Sequence, residues 1–192
     1  MTTGKAWFSV IIPTYNRREE LLRSLDSVLR QDYPFYEIII IDDGSTDDTR
    51  NYLAPYISTK VRYIHIENSG GPARPRNIGI VSARYPWICF LDSGDVWHPE
   101  KLRHVSLRAS TAIDILVHDE ISSDIARPGS SQYLSHGYCS RYAITESLIS
   151  GNRLSPSAVT IRKSFLNEHN IRFDASKSLV GFEDLLFWTN CM

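Results

Sequence analysis

The sequence has 192 residues, of which 42% are hydrophobic and 22% charged, and its formal net charge at pH 7 is −1. This length and composition indicate one globular domain with a core of its own. Lys and Arg never cluster beyond a pair, which argues against a nucleic-acid partner. No apolar stretch approaches the ~20 residues of a membrane span, and the N-terminus lacks a signal-peptide pattern. We therefore expect a cytoplasmic protein.

The first half of the chain alternates between predicted strands and predicted helices. Residues 7–12 form the first predicted strand, which Pro13 is expected to stop. Asn16 is expected to cap the next helix, with Glu19 completing a capping box, and residues 21–29 carry its apolar face. This pattern predicts a strand followed by a helix that covers the sheet.

Three further strands are predicted before residue 100, at residues 37–41, 61–66 and 87–91. Ser45, with an acid three residues later, marks one intervening helix start, and Pro75 suits the first turn of another. Alternating strands and helices predict an α/β fold with a largely parallel sheet.

The second half is less regular, and its predicted elements are shorter. We expect a strand at 113–117, a polar loop at 122–138, a helix at 144–149, a strand at 157–161 and a helix at 163–169. Three cysteines, Cys89, Cys139 and Cys191, show neither a zinc-site spacing nor a CxxC motif. Their usage suits a reducing cytosol, and Cys89 is expected to be a small core residue.

The apolar run at residues 87–91 ends abruptly in two carboxylates, Asp92 and Asp95. Side chains at the carboxyl ends of strands lie where open α/β sheets bind ligands. A hard cation bridging a diphosphate needs oxygen donors of this kind, so the pattern predicts a nucleotide-diphosphate site. The alternative is that Asp92 and Ser93 merely form a turn and cap the helix near Pro99.

Six segments of the chain, in order, resemble the motifs of family-2 glycosyltransferases, namely residues 10–16, 41–47, 76–79, 90–95, 157–162 and 183–188. The resemblance implies the A-type (GT-A) glycosyltransferase fold, a Rossmann-like, mostly parallel sheet flanked by helices. It also implies a single domain over residues 1–192, with a nucleotide-sugar-binding half at 1–110 and an acceptor half at 111–192. Family members continue past the last motif, so we expect the acceptor half to be truncated.

The resemblance assigns nucleotide recognition to the first two strand ends. Pro13, Thr14 and Tyr15 correspond to the loop that cradles the base, where a tyrosine ring can pack against it. Asp43 corresponds to the carboxylate that accepts a hydrogen bond from the base, which suits the N–H of uracil or thymine. Asp42 is expected to accept hydrogen bonds from backbone amides of its turn instead.

The diphosphate and a divalent cation, Mg²⁺ or Mn²⁺, are assigned to the next motifs. Arg76 and Asp92 correspond to nucleotide-binding residues, and Asp92 and Asp95 to the metal motif. Gly94 stands where the family has its usual metal ligand, and a glycine offers no side-chain oxygen. Either Asp92 and Asp95 suffice for the metal, or the site binds metal weakly and cations such as Arg76 neutralise the leaving group.

Asp184 corresponds to the general base of the family, which deprotonates the acceptor hydroxyl. The resemblance therefore implies an inverting transfer from a nucleotide-diphosphate sugar, a UDP-sugar above all, to a saccharide or lipid-linked saccharide. Bacterial polysaccharide or glycolipid assembly is the common setting of the family. A peripheral association with the inner face of the membrane and a homodimer are left open.

Two alternatives remain at this point. One is a catalytically silent module that binds nucleotide sugars, which the glycine at position 94 and the end at Met192 keep open. The other is a sugar-phosphate nucleotidyltransferase, which should carry a glycine-rich, basic loop after the first strand. The residues following the first strand here, from Pro13 on, do not have that composition.

Overall fold

The computed structural model describes residues 5–123, 131–134 and 154–191. Its strands are β1 (Phe8–Thr14), β2 (Tyr36–Asp42), β3 (Val61–His65), β4 (Trp87–Phe90), β5 (Ile115–Val117), β6 (Glu120–Ser123), β7 (Ser131–Leu134) and β8 (Val159–Arg162). Its helices are α1 (Arg18–Leu29), α2 (Thr49–Leu53), α3 (Ala73–Ser82), α4 (Lys101–Ser106), α5 (Lys163–Glu168) and α6 (Glu183–Asn190). Short 3₁₀ turns lie at Ala54–Tyr56, Pro156–Ala158 and Lys177–Leu179.

Six strands form one sheet in the order β3-β2-β1-β4-β8-β5. The pairs β1–β2, β2–β3 and β1–β4 are parallel, whereas β8 runs antiparallel to both β4 and β5. Strands β6 and β7 form a separate antiparallel pair. The predicted α/β class with a mostly parallel sheet is confirmed, and the carboxyl ends of β1, β2 and β4 lie along one edge.

The central strands are buried on both faces, as their continuous apolar runs predict. Ile38 and Ile40 of β2 pack into one core cluster, and Ile39 and Ile41 into the other. All four side chains are fully buried, and each such burial stabilises the fold by about 1.5–3 kcal/mol. Cys89 is also fully buried in β4, which confirms its prediction as a core residue.

Helices cover the sheet from both sides. Helix α1 packs Leu21, Leu25 and Val28 into the first cluster. Helix α3 lies on the other face and crosses β1 so closely that a Cβ built on Gly79 would sit 2.4 Å from Cγ2 of Ile11. Glycine at position 79 is therefore what allows the helix and the strand to approach.

Two predictions around the first strand are wrong. Strand β1 continues through Pro13 to Thr14, because β2 pairs beside it over its full length. Asn16 does not cap α1: its backbone is left-handed, with φ 50°, and its Oδ1 accepts hydrogen bonds from the amides of Thr46 and Asp47. The side chain therefore joins the two loops that follow β1 and β2.

Other boundaries also differ from the sequence prediction. Ser45 does not begin a helix: α2 begins at Thr49, and the hydroxyl of Ser45 accepts a hydrogen bond from the amide of Asn16. The loop predicted at 122–138 contains the paired strands β6 and β7 where the structure describes it. The helix predicted at 144–149 and Cys139 lie outside the described residues. Within the described segments, no helix is long and apolar enough to cross a membrane.

Candidate functional site

A cavity of about 390 Å³ opens at the carboxyl edge of the sheet. This volume lies in the range of small-molecule binding pockets. All six residues predicted to bind a nucleotide line it, namely Pro13, Thr14, Tyr15, Asp43, Arg76 and Asp92. The structure therefore brings together residues from three strand ends and one helix that are far apart in the sequence.

The wall formed by the end of β1 combines a buried residue with an exposed ring. The side chain of Tyr15 is 46% exposed, which excludes a core role and leaves the ring free to pack against a ligand. Thr14 is buried, and within the described chain its Oγ1 has no hydrogen-bond partner. A bound ligand could satisfy this hydroxyl.

Asp43 anchors the loop after β3 through hydrogen bonds that the sequence interpretation did not predict. Its Oδ1 accepts hydrogen bonds from the amide of Ser69 at 2.9 Å and from the hydroxyl of Ser69 at 2.8 Å. Its backbone carbonyl accepts a third, from Nδ2 of Asn68 at 2.8 Å. Asn68 itself lines the cavity, and a Cβ on Gly44 would come within 2.7 Å of its backbone nitrogen. Gly44, with φ 80°, therefore permits this loop to close against Asp43.

The carboxylate of Asp42 has a structural role, as expected. Its Oδ1 accepts a hydrogen bond from the amide of Ser45 at 2.8 Å, and Oδ2 accepts one from the hydroxyl of Tyr63. Burial opposes ionisation of this carboxyl, but the hydrogen bonds from Ser45 and Tyr63 outweigh it and lower the pKa of Asp42. Asp42 thus fixes the turn that presents Asp43 to the cavity.

Arg76 lies in the first turn of α3 and forms a buried ion triad. Its Nη2 donates to both carboxylate oxygens of Asp92, and Nη1 donates to Oε1 of Glu183 at 3.3 Å. Burial alone would lower the pKa of this guanidinium, but the charges of Asp92 and Glu183 hold it above the ordinary value. Arg76 is therefore a permanent cation shared between the loop after β4 and helix α6.

The triad places the start of α6 beside the cavity. Glu183 is buried, and its Oε2 also accepts a hydrogen bond from the amide of Gly181 at 2.6 Å. Asp184, the predicted base, is the next residue, and its negative charge contributes to raising the pKa of Arg76. Asp184 is half-buried and does not itself line the cavity. The role of Glu183 was missed because an acid in a helix's first turn is usually a solvated residue.

Asp95, the second carboxylate of the loop after β4, does not line the cavity. Oδ2 of Asp95 accepts a hydrogen bond from the hydroxyl of Ser157 at 2.6 Å, and the amide of Asp92 donates to the same hydroxyl at 3.0 Å. Burial raises the pKa of Asp95 above its ordinary value. The alternative that Asp92 and Ser93 cap a helix is wrong, because α4 begins at Lys101 without a side-chain cap.

These residues do not fit a carboxylate-held divalent cation. Only Asp92 of the predicted metal pair lines the cavity, and both of its oxygens are bonded to Arg76. Gly94 offers no ligand. In the segments that the structure describes, no three His, Cys, Asp or Glu side chains are grouped to hold a metal ion. A divalent cation held by Asp92 and Asp95 is therefore implied by the resemblance alone, and the geometry of these residues does not support it.

A comparison with protein-family models matches residues 9–166 to a family described as glycosyl transferase family 2. The chain belongs to glycosyl transferase family 2. The poly(ribitol-phosphate) beta-N-acetylglucosaminyltransferase TarS of Staphylococcus aureus (strain Mu50 / ATCC 700699) is 38% identical over 101 residues, which is 50% of this chain and 18% of TarS. The succinoglycan biosynthesis protein ExoO of Rhizobium meliloti (strain 1021) is 35% identical over 102 residues, 53% of this chain and 29% of ExoO.

Solved structures extend this family likeness to the fold. TarS residues 1–349 in complex with UDP-GlcNAc superpose with a TM-score of 0.78 at 28% identity, covering 96% of this chain and 53% of that one. The mannosyltransferase PcManGT of Pyrobaculum calidifontis, in complex with GDP-Man and Mn²⁺, gives 0.71 at 19% identity, covering 98% and 52%. The A-type fold predicted from the motifs is confirmed. This family-2 chain spans about half the length of these solved relatives.

Proposed function

We propose that this chain binds a nucleoside-diphosphate sugar, a UDP-sugar above all, and transfers the sugar to a hydroxyl of a saccharide or lipid-linked saccharide. The observation that carries this proposal is that six separately predicted nucleotide contacts line one cavity of about 390 Å³. The TarS structures in complex with UDP and UDP-GlcNAc support the choice of uridine. The ExoO relative supports a place in bacterial polysaccharide assembly.

Base recognition is assigned to Asp43 and Tyr15. The carboxylate of Asp43 accepts hydrogen bonds, and its Oδ1 already receives two from Ser69. Its second oxygen suits the N3–H of a uracil, which cytosine lacks. The exposed ring of Tyr15 supplies an apolar face for the flat base. Together they suit the binding of uracil or thymine.

The transfer step is assigned to Asp184 and Arg76. Asp184 takes the proton of an acceptor hydroxyl as its oxygen attacks the anomeric carbon, on the face opposite the diphosphate. The bond between that carbon and the diphosphate oxygen breaks, and its electron pair leaves with the diphosphate. Because the attack comes from the opposite face, the configuration at the carbon inverts. The Arg76 guanidinium, held in the cavity wall, stabilises the charge that develops on the departing diphosphate.

Binding and transfer measured separately test this assignment. We expect calorimetry to show UDP binding, and Asp184→Asn to keep that affinity while sugar transfer from UDP-N-acetylglucosamine to a panel of saccharides falls about 10²–10⁴-fold. Glu168→Gln, on the exposed end of α5, is the matched control and should leave both unchanged.

Other outcomes favour the alternatives. A folded sample that binds UDP but transfers no sugar, with or without Asp184, would be a silent binding module, whereas equal transfer by both proteins would exclude Asp184 as the base. Release of pyrophosphate from UTP and a sugar phosphate would instead identify a nucleotidyltransferase. Failure of a folded sample to bind any nucleotide would refute the proposed function of this chain.

A further inference from the structure

The charge of Arg76 alone is too small to balance a donor diphosphate, because three acids already surround this arginine. Arg76 is one guanidinium bonded to two carboxylates, Asp92 and Glu183, and Asp184 adds a third acid nearby. This group of residues is therefore net negative. A diphosphate brings at least two more negative charges into the same space, so a further cation has to offset them.

Arg17 provides a cation in the same cavity. It is the residue immediately before α1, its side chain is exposed, and it lines the cavity wall. Its Nη1 donates to the backbone carbonyl of Ser93 at 3.3 Å. Within the described part of the chain it makes no ion pair, so its charge is not offset by a carboxylate.

The position of Arg17 coincides with the loop that lacks its metal ligand. Ser93 lies between Asp92 and Gly94, so the guanidinium rests directly on this loop. Gly94 has φ 122°, a backbone conformation that L-amino acids rarely adopt. The backbone of this loop therefore favours a glycine at position 94, and an aspartate in its place would be strained.

We propose that Arg17 binds the diphosphate of the donor and supplies the counter-charge that a carboxylate-held divalent cation would otherwise provide. This assignment rests on the proposed function, because it takes a nucleoside diphosphate as the ligand. A guanidinium carries five N–H donors in a planar fork, and one of them is used on Ser93. The remaining donors can bind two phosphate oxygens side by side.

Calorimetry with UDP and with uridine, each in the presence of Mg²⁺, Mn²⁺ or EDTA, tests the assignment on the unmodified chain. We expect the affinity for UDP to change less than twofold between metal and EDTA. Arg17→Met should weaken UDP binding at least tenfold and leave uridine binding unchanged, since uridine has no phosphates. Arg17→Lys should recover part of the loss, because it restores the charge without the fork.

Arg23→Met is the matched control, since Arg23 is an exposed arginine of α1, the helix that follows Arg17, and does not line the cavity. It should bind UDP as the unmodified chain does. If EDTA weakens UDP binding tenfold or more, or if Arg17→Met binds UDP as well as Arg23→Met does, the assignment is overturned while the proposed function stands. If the folded chain binds neither UDP nor uridine, both fail together.

Discussion

Nη2 of Arg76 lies 2.8 Å from Oδ1 and 2.9 Å from Oδ2 of Asp92, so one nitrogen is shared by both oxygens of the carboxylate. The same guanidinium reaches Glu183, 107 positions further along the chain. Helix α3, the loop after β4 and helix α6 therefore meet at one buried charge. The contact holds together the cavity wall and the helix that carries the predicted base.

Replacing Arg76 by methionine should destabilise the fold as well as impair donor binding. Only 4% of the Arg76 side chain is exposed, so its removal leaves Glu183 as an uncompensated buried charge. Breaking a buried ion pair in this way costs about 3–5 kcal/mol, and the 36% exposure of Asp92 places the expected loss near the lower end. Urea unfolding measures the loss of unfolding free energy directly.

A surface pair provides the comparison for that variant. Arg30 pairs with Asp26 at 2.9 Å, with both side chains more than half exposed. Arg30→Met should lower the unfolding free energy by less than about 0.5 kcal/mol. If Arg76→Met and Arg30→Met lower the unfolding free energy equally, the ion triad does not stabilise the fold as proposed.

Asp43→Asn should weaken the binding of UDP and of uridine by the same factor. The proposed contact is to the base, and a hydrogen bond to a charged group contributes about 1.5–3 kcal/mol, or roughly 10–150-fold in affinity. Asp48→Asn, an exposed carboxylate outside the cavity, is the control and should have no effect. A loss confined to UDP would place the contact at the phosphates instead, and no loss would remove Asp43 from base recognition.

The sheet and the cavity wall could be predicted because they depend on local sequence patterns. Continuous apolar runs at β1, β2 and β4 indicate doubly buried strands, and polar residues directly after them must meet at one edge. Strand boundaries were wrong where tertiary pairing overrides a local signal. Pro13 stays in β1 because a neighbouring strand continues beside it.

Contacts between distant loops could not be predicted from the same patterns. Nothing local in the sequence pairs Ser69 with Asp43 or Ser157 with Asp95, since these contacts depend on how the elements pack. Arg17 was missed for a different reason. An arginine beside a helix start normally faces solvent, and only the fold shows that it lines the cavity.

Two substitutions of Asn16 should lower the unfolding free energy, and alanine should lower it more than glycine. Its left-handed backbone disfavours alanine, and its Oδ1 bonds to the amides of Thr46 at 2.7 Å and Asp47 at 3.2 Å. Asn16→Gly loses only the hydrogen bonds, about 1 kcal/mol each, whereas Asn16→Ala also adds roughly 1 kcal/mol of backbone strain. Unfolding free energies should therefore rank wild type, then Gly, then Ala.

Asn170 supplies the control because it has the same backbone conformation, φ 52°, and its side chain makes no hydrogen bond in the described chain. Asn170→Gly should be neutral, and Asn170→Ala should show the backbone strain alone. If Asn16→Gly is as well tolerated as Asn170→Gly, the side-chain bridge between the two loops contributes nothing to stability.

Gly79→Ala should destabilise the protein even though alanine favours helices. The gain in helix propensity is about 1 kcal/mol, but the new methyl group would lie 2.4 Å and 2.9 Å from side-chain atoms of Ile11. Ile11 is fully buried and β-branched, so it cannot move aside cheaply. A net loss of about 1–3 kcal/mol in unfolding free energy is expected from overpacking.

Val81→Ala, at a 69% exposed position of the same helix, is the control and should change the unfolding free energy by no more than about 0.5 kcal/mol. If Gly79→Ala is as well tolerated as Val81→Ala, the close approach of α3 to β1 is refuted.

Lys101 should make the stability of the protein depend on pH. Its ammonium is buried, donates to the backbone carbonyl of Ser157 at 2.9 Å and lies 3.4 Å from the ring centre of Trp97. Burial lowers the pKa of Lys101 to about 7, against the partial opposition of Cys89, Glu120 and Asp95. Between pH 7 and about 10 the unfolded chain therefore binds more protons at this lysine than the folded chain does. Its contribution to stability rises with pH across that window, by at most about 1.4 kcal/mol per pH unit.

Comparing the unmodified lysine with Lys101→Met isolates this contribution. The pKa of the neighbouring Cys89 thiol is raised by burial, which gives the opposite pH dependence, so both proteins should carry Cys89→Ala. As the pH rises from 7 to 9.5, we expect the unfolding free energy of the protein with Lys101 to increase relative to that of the Lys101→Met variant. Parallel curves would mean that Lys101 keeps its ordinary pKa, and a relative loss with rising pH would mean that the folded state favours its charged form.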